Sequence, residues 1–435
     1  MSTLFSTHPH TEGDGHVPGM QRRRFLAGLG AVAAVPALGA CGPDYIGAAA
    51  SSPSAKPKPG KGDVPRTHVS QTPSPGRSVQ RTSFPMTALG ISWTGPQRGV
   101  KIRLYDKEGN PGNWQPVNAG CPCGADPSDS KPAPAAAVSR ALVPANGSFG
   151  YQVDAASGIH VVNAIAIDSG LFPVLNEPEA APSSPSASPS SSPTADSPSA
   201  SPSSSPTADS PSASPSPTAT TTRTPVQDFP PTGLITRKQW GADESKRFKA
   251  DGTENSPARF FPVQALTVHH TVTANNDPDP AATVRAIYEQ HAIANDWGDI
   301  GYHFLIDGNG RIYEGRFSGD DGVPAHDKQG RVVTGFHTVG FNSGNIGVAL
   351  LGDFDKGEQT PAMRDSLARL LASLAKKHNL DVQADITYRN PVNDKTKQAP
   401  TLAGHRDWIS TECPGTSTYA SLDALREQVA GILAD

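Results

Sequence analysis

The apolar residues in the second half of the chain follow the periods of strands and helices. "QALTVHHT" (264–271) is a short candidate for a buried strand, and "NIGVALLGDF" (345–354) is nearly continuous in apolar residues, as central strands are. In "GYHFLIDGNGRIYEGR" (301–316), two strand-like runs flank "DGNG", a turn sequence that predicts a β-hairpin. These patterns predict a central sheet in this half of the chain.

Three segments of the same half repeat their apolar residues every three or four positions, which predicts helices. The first opens at Asp279-Pro280 and the second at Thr360-Pro361, both good helix starts, and the third is the last of the chain. Their apolar positions are Val284, Ile287, Tyr288 and His291; Leu367, Leu370, Leu371 and Leu374; and Leu422, Leu425, Val429 and Ile432. We therefore expect an α/β domain at 231–435, a mixed central β-sheet flanked by helices.

The segment 80–176 has a different pattern of residue types. Short runs rich in β-branched and aromatic residues alternate with Gly, Asn and Asp turns, which predicts a small antiparallel β domain. It contains "CPC", Cys121 and Cys123, whose short spacing allows either a strained disulfide or two free thiols. The pair alone does not predict a zinc site.

Two segments have no hydrophobic period. Residues 42–79 are rich in Ser, Pro, Lys and Gly and are predicted to be a disordered tether. Residues 177–230 form a Ser/Pro-rich linker in which "SPSASPSSSPTAD" occurs at 184–196 and again at 197–209. The net charge of −4 does not indicate a nucleic-acid partner, and no apolar run approaches the roughly 20 residues of a membrane-spanning helix.

The N-terminal segment 1–41 has the pattern of an export signal. Arg22, Arg23 and Arg24 precede an apolar run that ends in small residues, and the arginines followed by Phe-Leu resemble a twin-arginine signal. The run ends in "LGAC", which resembles a lipobox with Cys41 as the lipid-carrying residue. We expect an exported, membrane-anchored lipoprotein that faces the cell wall; a simple cleaved signal and an uncleaved anchor helix are the alternatives.

Residue types that bind zinc recur in the C-terminal half. Zinc is bound by nitrogen and sulfur donors, and a catalytic site keeps one position open for water. His269 or His270 ends a predicted strand, His405 follows the run "PTLAG", and Cys413 lies in a loop with Pro414 and Gly415. Spacing alone leaves three uses open for Cys413: a metal ligand, a disulfide or a leftover thiol.

Several motifs occur together and in one order: "LITRKQWGADES", "VHHT", "DIGYHFLIDGNGRIYEGR", "GFHTVGFNSGNIGVALLGDF" and "GHRDWISTECPG". In this order they resemble the type 2 N-acetylmuramoyl-L-alanine amidases, a family that includes the peptidoglycan recognition proteins. The resemblance covers 233–435 and implies a zinc ion held by His269, His405 and Cys413. It also implies that Tyr302 is catalytic and that Thr411 assists catalysis as a polar residue. The structural alternatives are a core tyrosine for Tyr302 and a turn hydroxyl for Thr411.

The resemblance implies a substrate and further site residues. His337 matches a residue of the substrate groove. Arg316 and Asn342 are expected either to contact substrate or to have structural roles. The expected reaction is zinc-dependent hydrolysis of the amide between the lactyl group of N-acetylmuramic acid and L-alanine, in a monomer with peptidoglycan as partner. A tethered peptidoglycan-binding module without catalysis is the alternative, but members that only bind usually lack the cysteine. A nucleobase deaminase is disfavoured because its H-x-E and P-C-x-x-C signature is missing.

Five residues carry open or minor expectations. The proton donor to the leaving amine is left open among Tyr302, Thr411 acting through water, and His303. His291 is expected to be a packing histidine on its helix, and His326 a solvated loop residue.

Overall fold

The structure is a computed structural model that describes residues 66–120, 123–124, 138–170, 228–320 and 323–434. These residues belong to one compact unit, Lys58–Asp435. The predicted signal, Cys41, Cys121 and the repeats of the linker lie outside the described residues. Within these ranges, no helix combines the length and the apolar character that crossing a membrane requires.

The N-terminal part is an antiparallel six-stranded sheet with strand order β1-β6-β2-β5-β3-β4, as predicted from its alternating strand-like runs and turn residues. Its strands are β1 (His68–Pro73), β2 (Gln80–Thr94), β3 (Val100–Tyr105), β4 (Gln115–Val117), β5 (Val138–Ala155) and β6 (His160–Asp168). Trp93, Leu89 and Tyr151 are among the buried residues that fill its own core. We call this part the sheet domain.

Strand β1 lies inside the segment predicted to be a disordered tether. It pairs with β6 over its full length, from His68 opposite Asp168 to Pro73 opposite Asn163. Five of its six residues are exposed, and Thr72, the sixth, accepts a hydrogen bond from the Tyr151 hydroxyl at 2.8 Å. Because backbone pairing at a sheet edge holds this strand, its sequence carries no hydrophobic period that could have revealed it.

The C-terminal part is built on a five-stranded mixed sheet with order β10-β9-β12-β8-β15. Its strands are β8 (Ala265–His270), β9 (Phe304–Ile306), β10 (Ile312–Glu314), β12 (Asn345–Leu350) and β15 (Leu402–Gly404). β9, β12, β8 and β15 are parallel neighbours, and β10 pairs antiparallel with β9 through the predicted hairpin. Two small ladders complete the strands: β7 (Phe260–Phe261) with β11 (Val332–Val333), and β13 (Asp385–Arg389) with β14 (Thr396–Pro400).

Helices cover both faces of this mixed sheet, which confirms the predicted fold class. The helices are α1 (Arg237–Trp240), α2 (Pro280–Glu289), α3 (Pro361–His378), α4 (His405–Trp408), α5 (Thr416–Ala420) and α6 (Leu422–Leu433), with a 3₁₀ turn at Glu244–Arg247 and a π-helical turn at Gln290–Ala294. The predicted start of α3 is confirmed, since the Thr360 hydroxyl accepts a hydrogen bond from the Met363 amide. α3 and α6 pack with Val268 and Val348 on one face, and α2 packs with Ala349 on the other.

The sheet domain packs against α2, on the side away from α3. Leu142 and Ile165 of the sheet domain share one buried cluster with Ile287 of α2. Arg285 donates hydrogen bonds of 2.8 Å to the carbonyls of Ser169 and Gly170 at the end of β6. The two parts therefore form a continuous core, and the sheet domain reaches the edge of the mixed sheet.

Candidate metal centre

The two histidines of the predicted metal site lie side by side at the carboxyl ends of parallel strands. His269 is in β8, and His405 directly follows β15, whose Gly404 pairs with Val268. The carboxyl ends of neighbouring parallel strands meet at one edge of a sheet, where α/β proteins commonly bind ligands. The His269 and His405 rings are 4.5 Å apart between centroids, and both side chains are completely buried.

Cys413 approaches the same point from the loop after α4. Its Sγ lies 3.6 Å from Nδ1 of His269 and accepts a hydrogen bond from the His270 amide at 3.4 Å. With Zn–S near 2.3 Å and Zn–N near 2.05 Å, a tetrahedral angle separates sulfur and nitrogen ligands by about 3.6 Å. The donors present, two imidazoles and a thiol, and this spacing fit zinc.

A chain of imidazoles fixes the protonation of His269. His337 Nε2 lies 3.0 Å from the Asn345 carbonyl oxygen, which can only accept, so this nitrogen carries the proton. His337 Nδ1 is then the acceptor for the His269 Nε2–H, 3.0 Å away. The proton on Nε2 leaves the His269 Nδ1 lone pair directed toward Cys413, as a metal ligand requires.

Burial keeps the imidazoles of the site neutral. It lowers the pKa of His269 and His405 well below the usual value, and neighbouring histidines lower both further. The pKa of His337 falls to about 4, chiefly because the ring is buried. Neutral imidazole is the form that binds metals, so these pKa shifts favour metal binding. Burial also raises the pKa of the Cys413 thiol.

Gly347, in the middle of β12, makes room for the His337 ring. A β-carbon at this position would lie 2.6 Å from Cγ of His337. Glycine therefore lets the imidazole lie directly on the strand backbone.

Comparison with known proteins assigns the C-terminal part. The family described as N-acetylmuramoyl-L-alanine amidase matches residues 259–416, which include His269, His405 and Cys413. A peptidoglycan recognition protein of Bombyx mori is 33% identical over 190 residues, which are 43% of this chain and 77% of that relative. The human N-acetylmuramoyl-L-alanine amidase is 30% identical over 167 residues, which are 37% of this chain and 23% of that protein.

The chain belongs to the type 2 amidase and peptidoglycan recognition protein family. Among solved structures, wild-type Drosophila PGRP-LB is similar at 26% identity and a TM-score of 0.32, covering 44% of this chain and 92% of that one. An endolysin amidase from Clostridium intestinale shares 28% identity at a TM-score of 0.29, covering 40% of this chain and 89% of that one. The fold assignment rests on the strand order described above. We call residues 228–434 the amidase-family domain.

Tyr302 of the amidase-family domain lies next to the histidine pair. Its ring is 5.4 Å from the His269 ring between centroids, and its hydroxyl is 3.5 Å from Sγ of Cys123. Burial raises its pKa well above 10, so the phenol stays protonated and can donate a hydrogen bond. This position agrees with the predicted catalytic role without testing it.

His303, a predicted candidate for the proton donor, has both ring nitrogens engaged by backbone. Nδ1 accepts from the Gly347 amide at 2.9 Å, and Nε2 donates to the Val333 carbonyl at 2.6 Å. These bonds disfavour His303 as a proton donor.

The loop "GHRDWISTECPG" is held by its own polar residues. The Thr411 hydroxyl accepts a hydrogen bond from the Cys413 amide at 3.2 Å, which is the turn role named as its structural alternative. Asp407 accepts from the Gly404 amide at 2.7 Å and from the Tyr419 hydroxyl at 2.5 Å, and Arg406 donates to the Glu412 carbonyl. The catalytic role of Thr411 stays a prediction.

The three residues predicted to contact substrate are all buried. His337 supports His269 from behind, which favours a positioning role over substrate contact. Arg316 lies 4.1 Å over the Phe336 ring and donates to the Ile300 carbonyl at 3.4 Å. Asn342 accepts hydrogen bonds from the amides of His337 and Thr338. Its side-chain amide donates to the Gly124 carbonyl of the sheet domain at 2.9 Å.

Three further histidines test the expectations: two lie as expected and one does not. His270 accepts from the Phe354 amide on the opposite side of β8 from His269, and His291 packs on Trp297, as predicted. The expectation that His326 is solvated is wrong. It is completely buried and lies 2.9 Å from His378 between Nε2 atoms, because β11 folds this segment back against the end of α3.

Cys123 is the residue of this centre that the sequence did not reveal. Its donor atom and those of His269 and His405 all lie within 4.8 Å of one another. The "CPC" motif marks it as unusual, but a contact across 146 residues leaves no local signal.

Proposed function

We propose that the amidase-family domain hydrolyses, with zinc, the amide between the lactyl group of N-acetylmuramic acid and L-alanine in peptidoglycan. The main support is the separation of 3.6 Å between Cys413 Sγ and His269 Nδ1, with the His405 ring 4.5 Å from the His269 ring. When bound there, zinc would polarise the scissile carbonyl and supply a water nucleophile that is active near neutral pH. A peptidoglycan-related role agrees with the relatives of this chain.

The chain's own residues would bind and orient the reacting groups. The protonated Tyr302 phenol can donate a hydrogen bond to the oxygen on which negative charge develops. His337 holds the His269 ring in the tautomer and orientation that metal binding needs. The Asn342 side-chain amide, which donates to the Gly124 carbonyl, could make the same type of contact with a stem-peptide carbonyl.

The test is the release of free L-alanine amino termini from purified peptidoglycan, followed by mass spectrometry of the soluble peptides. We expect release by the zinc-loaded protein, loss with a chelator and recovery on adding zinc. Cys413→Ser should lose both zinc and release, whereas His160→Ala, which removes an exposed histidine of the sheet domain, should change neither. Zinc-loaded protein that releases no alanine terminus, in the wild type and in Cys123→Ser alike, would contradict the proposal.

A peptidoglycan-binding module without catalysis is the second candidate. The observation that favours it is the burial of the centre, since His269, His405 and Tyr302 are all covered. This candidate predicts that the protein sediments with insoluble peptidoglycan but releases no peptide under any zinc condition.

We infer from the sequence alone that the chain is exported and anchored by a lipid on Cys41. Labelling with a fatty-acid probe should then occur in the wild type and fail in Cys41→Ala. Labelling that persists in the variant would refute the anchor.

A further inference from the structure

A short segment of the sheet domain reaches into the metal centre. Its described residues are Gly120, Cys123 and Gly124, and we call it the cysteine loop. The Asn342 amide binds the Gly124 carbonyl at 2.9 Å, and Arg140 of β5 donates to the Cys123 carbonyl at 3.2 Å. Arg140 also donates to the Asn295 side chain at 3.0 Å, so it bridges the two domains. The loop is therefore held from both sides.

These bonds place the Cys123 sulfur at the metal centre. Sγ is buried and lies 3.5 Å from the Tyr302 hydroxyl, the group expected to act on substrate. Donor atoms of Cys123, His269 and His405 are within 4.8 Å of one another, and Cys413 Sγ is 3.6 Å from His269 Nδ1. Tetrahedral ligands are about 3.3–3.7 Å apart, so the Cys123 sulfur lies near ligand distance from the two histidines.

A second thiol beside the two histidines has a defined chemical meaning. Structural zinc sites are closed by four protein ligands, of which Cys₂His₂ is one common set, whereas catalytic sites keep a position for water. We propose that Cys123, in its reduced form, is a fourth zinc ligand that closes this centre. The inference rests on the proposed zinc site, and it adds a ligand from a second domain.

The state of Cys123 makes this closure redox-dependent. Cys123 is disulfide-bonded, and its partner lies outside the described residues. A disulfide sulfur carries no charge, whereas thiolate is the form that binds zinc. A dithiol reductant would supply two electrons and two protons, breaking the S–S bond to give two thiols while the reductant becomes a disulfide. The Cys123 thiol would then release its proton to solvent as its sulfur binds the metal.

Reduction therefore adds a protein ligand at the fourth metal position, and oxidation removes it. The oxidised form leaves the fourth position to water and supports hydrolysis. The reduced form excludes water from the metal and blocks hydrolysis while holding zinc more tightly. Asn342 and Arg140 bind carbonyls of the cysteine loop, so they can hold it near the centre in both forms.

Cobalt(II) in place of zinc gives a readout that is independent of activity, because thiolate ligands produce a near-ultraviolet charge-transfer band. With the full chain, we expect the band of the oxidised protein to about double on reduction by a phosphine, as one thiolate becomes two. Cys123→Ala and Cys123→Ser should keep the single-thiolate band under both conditions. Cys413→Ala should lack that band in the oxidised protein.

Hydrolysis provides the second arm of the experiment. Reduction should slow peptide release by the zinc-loaded wild type at least 10-fold and leave Cys123→Ala unaffected. An identical cobalt band in wild type and Cys123→Ala before and after reduction, with the band still lost in Cys413→Ala, would overturn the fourth ligand and leave the proposed zinc enzyme intact. Failure of every variant to bind cobalt would instead contradict the zinc site itself. Thermal unfolding of each variant confirms that it is folded.

Discussion

The two sheets of this protein differ in where their residues face. In the mixed sheet, every residue of β8 and β12 is buried, because helices cover both faces. In the sheet domain, β1 is mostly exposed, and β2 alternates along its first half before it becomes buried, largely in the sheet domain's own core. The mixed sheet presents its chemistry at the carboxyl ends of its strands, whereas the sheet domain contributes through a loop between strands.

This difference decides which features can be read from the sequence and which depend on how the two domains pack. The site residues of the mixed sheet belong to ordered motifs that a family shares, so the sequence predicts their place in the fold. The cysteine loop has no such motif, and its position at the metal centre follows only from how two domains pack. The contrast predicts that changes at the ligands of the mixed sheet affect metal binding most, while changes at the contact with the sheet domain affect stability and the fourth metal position.

The largest effect is expected from His405→Ala. Removal of a metal ligand should lower zinc affinity by more than about 100-fold, since losing even a supporting residue costs 10- to 100-fold. Competition with a chromophoric chelator measures the affinity, and His160→Ala is the matched exposed control. Unchanged affinity would remove His405 from the ligand set.

A smaller effect is expected from His337, which accepts a hydrogen bond from the predicted ligand His269. His337→Ala should lower zinc affinity about 10- to 100-fold, because the His269 Nε2–H loses its acceptor. His337→Asn places an oxygen near the former Nδ1 and should recover part of the loss. Equal affinity in the alanine and asparagine variants would argue against this positioning role.

At the interface, Arg285→Ala should reduce the free energy of unfolding by about 2–4 kcal/mol. It leaves three backbone carbonyls, those of Ser169, Gly170 and Trp240, without their charged donor. Urea denaturation measures the loss, and zinc affinity should change little. Arg369→Ala is the control, because its exposed pair with Asp365 on α3 contributes only about 0–0.5 kcal/mol.

The smallest effect concerns pH. Burial, with added repulsion from His326 and Lys377, lowers the pKa of His378 to about 3, against about 6.5 when unfolded. The unfolded chain therefore binds more protons between these values, so stability falls as the pH drops below about 6.5. His378→Gln removes this contribution, and its urea midpoint should fall less between pH 7 and 5 than that of the wild type. Parallel midpoints would exclude His378 as a source of the acid sensitivity.

Much of the amidase-family domain could be predicted from its sequence. The apolar runs of β8 and β12, the "DGNG" hairpin and the capped start of α3 are local signals, and each element formed where it was expected. Four of the five strands of the mixed sheet correspond to motifs quoted for the resemblance, and the fifth, β15, ends at the "GHRDWISTECPG" loop. The structure places His405 beside His269 and Cys413 next to His269 at the edge of that sheet, and the role of the three as metal ligands stays a prediction.

What escaped prediction depends on contacts between distant residues. β1 is held by backbone hydrogen bonds, which any sequence can make. His326 is buried because β11 folds its segment against His378, and a histidine in a polar stretch gives no sign of this. Cys123 reaches His269 and His405 only because the sheet domain packs on α2. Burial and partners of this kind become visible only in three dimensions.

Gly347 lies inside the mixed sheet and restricts which mutations the metal centre tolerates. A glycine inside a strand weakens it by about 0.5–1 kcal/mol relative to alanine. Here its missing methyl group creates a slot one aromatic ring thick, in which the His337 imidazole lies flat against the backbone. Alanine at this position, the mildest change by volume, would displace that ring and with it the hydrogen bond to His269. A residue without a side chain thus limits which substitutions the metal centre tolerates.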